Sequence, residues 1–219
     1  IVKVAAGARH SVALSSRGRL LAWGDNAYGQ CSCYFRSKDG ERVAEVAAGG
    51  HHTVALTSEG RVLAWGYDRQ SQCSGVPALP PDEHFVAVSA GASHTVAVTS
   101  TGRLFSWGAD HHGQVSGQPH LEAGERFVAA VAGGHHTAAS TSAGRVLAWG
   151  YDRNGQCSDC PAAALDEARD AGGAEGPAVA ATKPISAKVI RLQSGARRGA
   201  GVKDAPELVL GRTGGGRRR

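Results

Sequence analysis

Residues 52–57 alternate without a break: His52, Val54 and Leu56 fall on one side of the pattern, Thr53, Ala55 and Thr57 on the other. A period of two is the pattern of a strand half-buried in a sheet. Ser58-Glu59-Gly60 follows, and glycine accepts the positive φ that a short hairpin loop demands. Residues 61–65 then predict a second strand, with Leu63 and Trp65 on one face and Val62 and Ala64 on the other. Gly66 ends it. Stretches such as Phe85-Val86-Ala87-Val88 and Ile1-Val2-Lys3-Val4 predict a strand leading into each hairpin. A fourth strand has room near Gln72-Cys73, before the proline-rich stretch 76–81.

The same pattern returns three more times. Trp23, Trp65, Trp107 and Trp149 stand 42 residues apart, and His10, His52, His94 and His136 keep that interval. So do Gly7, Gly49, Gly91 and Gly133, and likewise Gln30, Gln72, Gln114 and Gln156. A fixed period of this size is the sequence mark of a repeat architecture. Four repeats are expected, at about 1–42, 43–84, 85–126 and 127–167. Each would form one small twisted sheet, too small to persist without a neighbour. The expected fold is therefore all-β: four propeller-type blades in an incomplete ring or open array. One indole per repeat suits the contact between sheets, because burying it removes ~150–250 Å² from water. The fourth repeat has Ala138 and Ser140 where the others have Val or Leu, which predicts that this blade frays first. Open strand edges predict self-association of residues 1–167.

Charge divides the chain in two. Residues 1–160 carry 13 basic and 13 acidic residues, and the remaining 59 carry 11 and 6, so the net charge of +5 belongs to the end of the chain. Residues 168–219 are rich in Ala, Gly and charge without a period, which predicts a disordered basic tail. Any nucleic-acid contact is expected only through that basic tail, and its lack of aromatic residues for base stacking disfavours one. No apolar run reaches the ~18–20 residues of a membrane helix. The chain starts at Ile1 and has no Met, which predicts a fragment or processed form. Five cysteines, an odd number, argue against a disulfide framework and for a cytoplasmic or nuclear, unsecreted protein. Cys157 and Cys160 have the spacing of half a zinc site, with no second half in the sequence.

The string AGGHHTVAL at residues 48–56, then Gly60-Arg61, Ala64-Trp65-Gly66 and Gln72, resembles the repeat of the regulator of chromosome condensation family. The first repeat carries it best, with Trp23-Gly24-Asp25-Asn26 and Tyr28-Gly29-Gln30. The resemblance implies blades of a propeller that the family usually builds from seven. It also implies three functional classes: protein interaction, guanine nucleotide exchange on a small GTPase, and substrate recruitment as part of a HECT-type ubiquitin ligase. Exchange in the family depends on an inserted wedge loop, and the constant interval from His10 to Trp149 leaves no room for one. Ultraviolet sensing, known in a related plant protein, needs tryptophans where this chain has Ala8, Gly50, Ala92 and Gly134.

Catalysis finds no support in the pattern. The repeat histidines would lie one per blade on a ring, too far apart to share a metal, and no carboxylate or nucleophile repeats beside them. No cofactor, metal or catalytic residue is expected. His10, His52, His94 and His136 are expected to pin strand ends, and Trp23, Trp65, Trp107 and Trp149 to fill the seams between blades. Candidates for contact with a protein partner are the residues that vary after Trp-Gly: Tyr67, Arg69, His111, His112, Tyr151 and Arg153. Tyr and Arg are frequent anchors of interfaces, and loops on a rigid scaffold often carry binding.

Overall fold

A computed structural model describes residues 1–33, 35 and 40–160. The basic tail expected at 168–219 lies outside them. The described residues contain twelve strands and no helix. The first sheet holds β1 (Lys3–Ala6), β2 (His10–Leu14) and β3 (Leu20–Gly24). The second holds β4 (Val43–Ala48), β5 (His52–Thr57) and β6 (Val62–Gly66), and the third β7 (Phe85–Ala90), β8 (His94–Thr99) and β9 (Leu104–Gly108). The fourth holds β10 (Phe127–Ala132), β11 (His136–Thr141) and β12 (Val146–Gly150). Each is an antiparallel meander with its strands in chain order. Successive sheets pack as blades of an all-β, unclosed ring.

Register is the same from blade to blade. His52 lies opposite Gly66 and Thr53 opposite Trp65, just as His94 lies opposite Gly108 and Thr95 opposite Trp107. The tight loop of each hairpin turns on a glycine such as Gly60, at φ 75°. A side chain is disfavoured at that angle.

There are three strands per blade, not four. Residues 72–75 form a turn, because Asp68 Oδ1 accepts the N–H groups of both Cys73 and Ser74, and Gly75 N–H reaches back to Ser71 O. Backbone donors satisfied locally in this way are not available to a ladder.

Three apolar seams hold the blades together. Val12 and Leu14 of the first blade meet Val43, Val46 and Ala55 of the second. Leu56 of the second meets Phe85, Ala97 and Trp107 of the third. Val96, Val98 and Leu104 of the third meet Phe127, Ala139 and Trp149 of the fourth. The fourth blade thus keeps a full apolar seam. Ala138 and Ser140 lie on its other face, half-buried and outside the core cluster. At the equivalent positions the other blades carry core residues, Val12 and Leu14, Val54 and Leu56, Val96 and Val98, so the fourth blade has less apolar bulk on that face.

Near the axis the backbones of neighbouring blades touch. Ala8 N–H donates to Gly49 O at 3.2 Å, Gly50 N–H to Gly91 O at 3.1 Å and Ala92 N–H to Gly134 O at 3.0 Å. A Cβ on Gly91 would collide with the His94 ring and with the Gly133 carbonyl oxygen. At Gly134 the same Cβ would meet nothing within 4 Å. Gly91→Ala should therefore cost ~1–3 kcal/mol, as overpacked sites do. Gly134→Ala should change stability by less than ~0.5 kcal/mol. Urea titration of the two variants measures the difference; equal midpoints would refute the close-approach account.

Candidate interaction rim

Four repeated residues form one hydrogen-bonded relay across each seam. Thr53 Oγ1 donates its proton to Gln30 O at 2.8 Å, so it must accept at its 2.9 Å contact with His10 Nε2. That assigns the proton of His10 to Nε2. Trp65 Nε1–H donates to the same Gln30 carbonyl at 3.1 Å. The next seam repeats it with His52, Thr95, Gln72 and Trp107, and the third with His94, Thr137, Gln114 and Trp149. The glutamine side chain closes its own turn by accepting a backbone N–H, from Tyr28 for Gln30 and from His112 for Gln114.

Burial makes the relay histidines poor bases. His52 and His94 are fully buried, and desolvation, followed by neighbouring imidazoles, lowers each to about 4. His10 and His136 are also lowered, chiefly by burial. His10, His52 and His94 are each spent on the adjacent blade rather than aimed at a common centre. Among the described residues, no three His, Cys, Asp or Glu side chains converge as metal ligands would. All five cysteines are unpaired, and burial pushes the Cys73 thiol up to about 12, well away from a reactive thiolate.

The tryptophans divide. Trp107 and Trp149 are 7% and 5% exposed, and Trp65 is half-buried in its seam. Trp23 is 54% exposed, which corrects its expected place between blades. Trp65, Trp107 and Trp149 each reach back to the glutamine of the preceding repeat, and Trp23 has no such acceptor among the described residues.

A second periodic contact escaped the motif reading. Glu83 accepts from Arg103 at 2.9 Å and Glu125 from Arg145 at 3.0 Å, and Glu41 pairs with Arg61 in the same way. These carboxylates are buried and 42 residues apart, so the period alone could have found them.

One end of the blades gathers the loop after Trp-Gly and the connection from first to second strand. The candidates lie there, Tyr67 and Tyr151 half-buried and the others exposed. Tyr67 meets Tyr28 edge-on, with ring centroids 4.8 Å apart, and His51 packs 5.5 Å from Tyr28. Two repeats later Tyr151 meets His112 at 4.9 Å, and His135 packs 5.4 Å from His112. The intervening seam has Gln70, Ser93 and Ala109 at these positions and no rings. The structure thus joins Tyr67 and Tyr151 to clusters, and His112 with them. His111, Arg69 and Arg153 are exposed on the same loops without ring or ion-pair contact among the described residues. Tyr28, His51 and His135 were missed as candidates; their signal is an alternation over two repeats, hidden when the 42-residue period is sought alone. The acidic residue of each loop serves the turn: backbone N–H groups of Cys157 and Ser158 hold the Asp152 carboxyl below the usual carboxylate range.

The sequence profile of the Regulator of chromosome condensation (RCC1) repeat matches residues 1–30, 43–72, 85–114 and 127–156, more than half of the chain. The chain belongs to this repeat family. Solved propellers agree on the fold. Prp20p from Saccharomyces cerevisiae is 23% identical with a TM-score of 0.59, over 70% of this chain and 45% of that one. Human WBSCR16 is 24% identical with a TM-score of 0.59, over 68% and 46%. The CRINKLY WD40 ectodomain of the receptor kinase ACR4 from Arabidopsis thaliana is 24% identical with a TM-score of 0.52, over 73% and 52%. The chain spans about half the length of these structures. No curated protein sequence matches it. Among the described residues, no helix is long and apolar enough to cross a membrane.

The axial position corresponding to Ala8, Gly50, Ala92 and Gly134 is part of a shallow cleft of about 300 Å³. Its lining is entirely Ala and Gly, which offers backbone but no side-chain chemistry. The large residues that differ from repeat to repeat lie on the rim and not at this axial position.

Proposed function

We propose that this chain is a noncatalytic protein-interaction scaffold and that its partner, another protein, sits on the rim that carries the two ring clusters. The observation that supports this most is the meeting of Tyr28, His51 and Tyr67 at one seam and of His112, His135 and Tyr151 two seams on. Each cluster joins residues of two repeats, so its geometry depends on the buried relay beneath it. Rings held in place lose little freedom on binding, which favours affinity. Arg69 and Arg153 flank the clusters and add charge to the same surface.

Protein partners are in keeping with the fold family. Prp20p is described with binding properties towards Gsp1p and histones, which belong to that protein. Exchange on a small GTPase and recruitment for a HECT-type ligase are the alternatives, and the uninterrupted repeats between His10 and Trp149 favour the scaffold. A cytoplasmic or nuclear setting accompanies this reading.

The test is direct. A partner found by cross-linking is purified and titrated against the wild-type chain, the Tyr67→Ala/Tyr151→Ala variant and the Glu59→Ala variant. Glu59 lies on the hairpin tip at the other end of its blade. The double variant should bind at least ~10-fold more weakly, about 1.4 kcal/mol, and Glu59→Ala should bind as the wild type. Unchanged affinity of the double variant removes the rim from the reading. Accelerated guanine nucleotide release from a small GTPase would replace the scaffold with an exchange factor.

A further inference from the structure

The two ring clusters occupy equivalent seats but differ in charge. At the first, Asp25 Oδ2 lies 3.8 Å from His51 Nδ1, so a carboxylate already faces the imidazole. At the second, the counterpart of Asp25 is Ala109, and the counterpart of Tyr28 is His112, a second imidazole. His112 and His135 meet edge to face with centroids 5.4 Å apart, and Tyr151 lies 4.9 Å from His112 and 6.4 Å from His135. The backbone fixes both rings: Tyr151 N–H donates to His135 O at 2.9 Å, and His112 N–H to Gln114 Oε1 at 2.9 Å.

The second cluster offers donors and no acceptor charge. Both imidazoles are exposed, and among the described residues neither ring is hydrogen-bonded or ion-paired. His111 and Arg153 are exposed on the same two loops. The carboxylates of those loops are spent on their turns: Asp110 Oδ1 accepts the N–H groups of Val115 and Ser116, and Asp152 Oδ1 those of Cys157 and Ser158. From within, the relay imidazoles His94 and His136 interact electrostatically with His135. Tyr28 and Gln70, the counterparts of His112, are exposed as well with further blades after them, so exposure of this seat belongs to the rim and not to the last blade.

We propose that the second cluster receives an acidic segment of the protein partner, with a glutamate or aspartate carboxylate accepting from the ring N–H groups of His112 and His135. The proposal rests on the rim reading above. His111 and Arg153 add positive charge to the same seat. The first cluster does not take such a segment, because Asp25 would repel it. The partner therefore has one orientation, with its acidic stretch over the third and fourth blades. An imidazole gains charge as pH falls towards the ordinary histidine range, and a charged donor makes the stronger bond to a carboxylate. Contact at the second cluster strengthens accordingly, whereas at the first Asp25 already answers that charge.

Nuclear magnetic resonance of the full chain tests it. The ring protons of His51, His112 and His135 report, and a capped tetraglutamate peptide and a capped tetraglutamine peptide are the probes. Tetraglutamate should shift His112 and His135 saturably, bind at least ~3-fold more tightly at about pH 6.5 than at about pH 8, and move His51 little. Tetraglutamine should move none of them. The His112→Gln/His135→Gln variant keeps every arginine of the chain, and circular dichroism should show it folded; its binding of tetraglutamate should lose the pH dependence. Unmoved His112 and His135, an equal response of His51, or a pH dependence that survives the double substitution overturns the proposal. If Tyr67→Ala/Tyr151→Ala loses the purified partner while tetraglutamate leaves His112 and His135 unmoved, the rim reading stands and the acidic segment falls.

Discussion

Urea unfolding should become much easier as pH falls from 7 towards 4, and the buried histidines of the relay should be the cause. His52 and His94 titrate at about 4 in the folded chain, against an ordinary value of 6.5. Between those limits the unfolded chain takes up the proton and the folded chain does not. Stability is therefore complete above pH 6.5 and falls as pH drops through the window. At about 1.4 kcal/mol per pH unit of displacement, each histidine accounts for on the order of 3 kcal/mol. The physical source is the second ring nitrogen: Nδ1 of both residues is buried without a partner, so a proton there would find no acceptor. Desolvation leads, and the other imidazoles add to it, while Asp68 and Asp110 pull the other way. Glu83, Glu125 and Asp152 are held below their ordinary values, so their losses follow at lower pH. His94→Gln should remove about half of the slope contributed by the two residues. An unchanged slope between pH 6.5 and 4 in a His52→Gln/His94→Gln variant would assign the acid sensitivity elsewhere.

The second large effect sets one motif residue against another. Trp107→Ala should cost ~3–5 kcal/mol, because it empties a seam filled by Phe85, Leu56 and Ala97 and removes a bond to Gln72 O. Trp23→Ala, in chain dilute enough to stay unassociated, should cost less than ~0.5 kcal/mol, since that ring is more than half exposed. Denaturant melts of the two variants settle the matter: comparable losses would mean that Trp23 is packed in solution.

Periodicity alone carried the fold to the level of blades. The alternation around His52 gave strands, and the 42-residue interval gave their number and order. It failed where a short side chain competes with the ladder, as Asp68 does by capturing the N–H groups meant for a fourth strand. It failed again at Trp23, because a repeat pattern states what each position is and not whether a neighbour covers it. The candidate rim was half legible. Tyr67 and Tyr151 stood out as large residues in variable loops, but a ring cluster draws its members from two repeats. His51 and His135 looked like companions of the constant histidine, and only their closeness to Tyr28 and His112 in space gives them another role.

The relay also has a direction. Each of the three seams takes histidine and glutamine from the earlier blade and threonine and tryptophan from the later one, so a unit can be spliced in between them without leaving a mismatched joint. The ring clusters obey a stricter rule, for they recur every second unit. Duplicating or losing one unit would preserve the architecture and throw the proposed recognition surface out of phase; changing the count by two would preserve both. Growth of such a gene is thus free in length but constrained in parity.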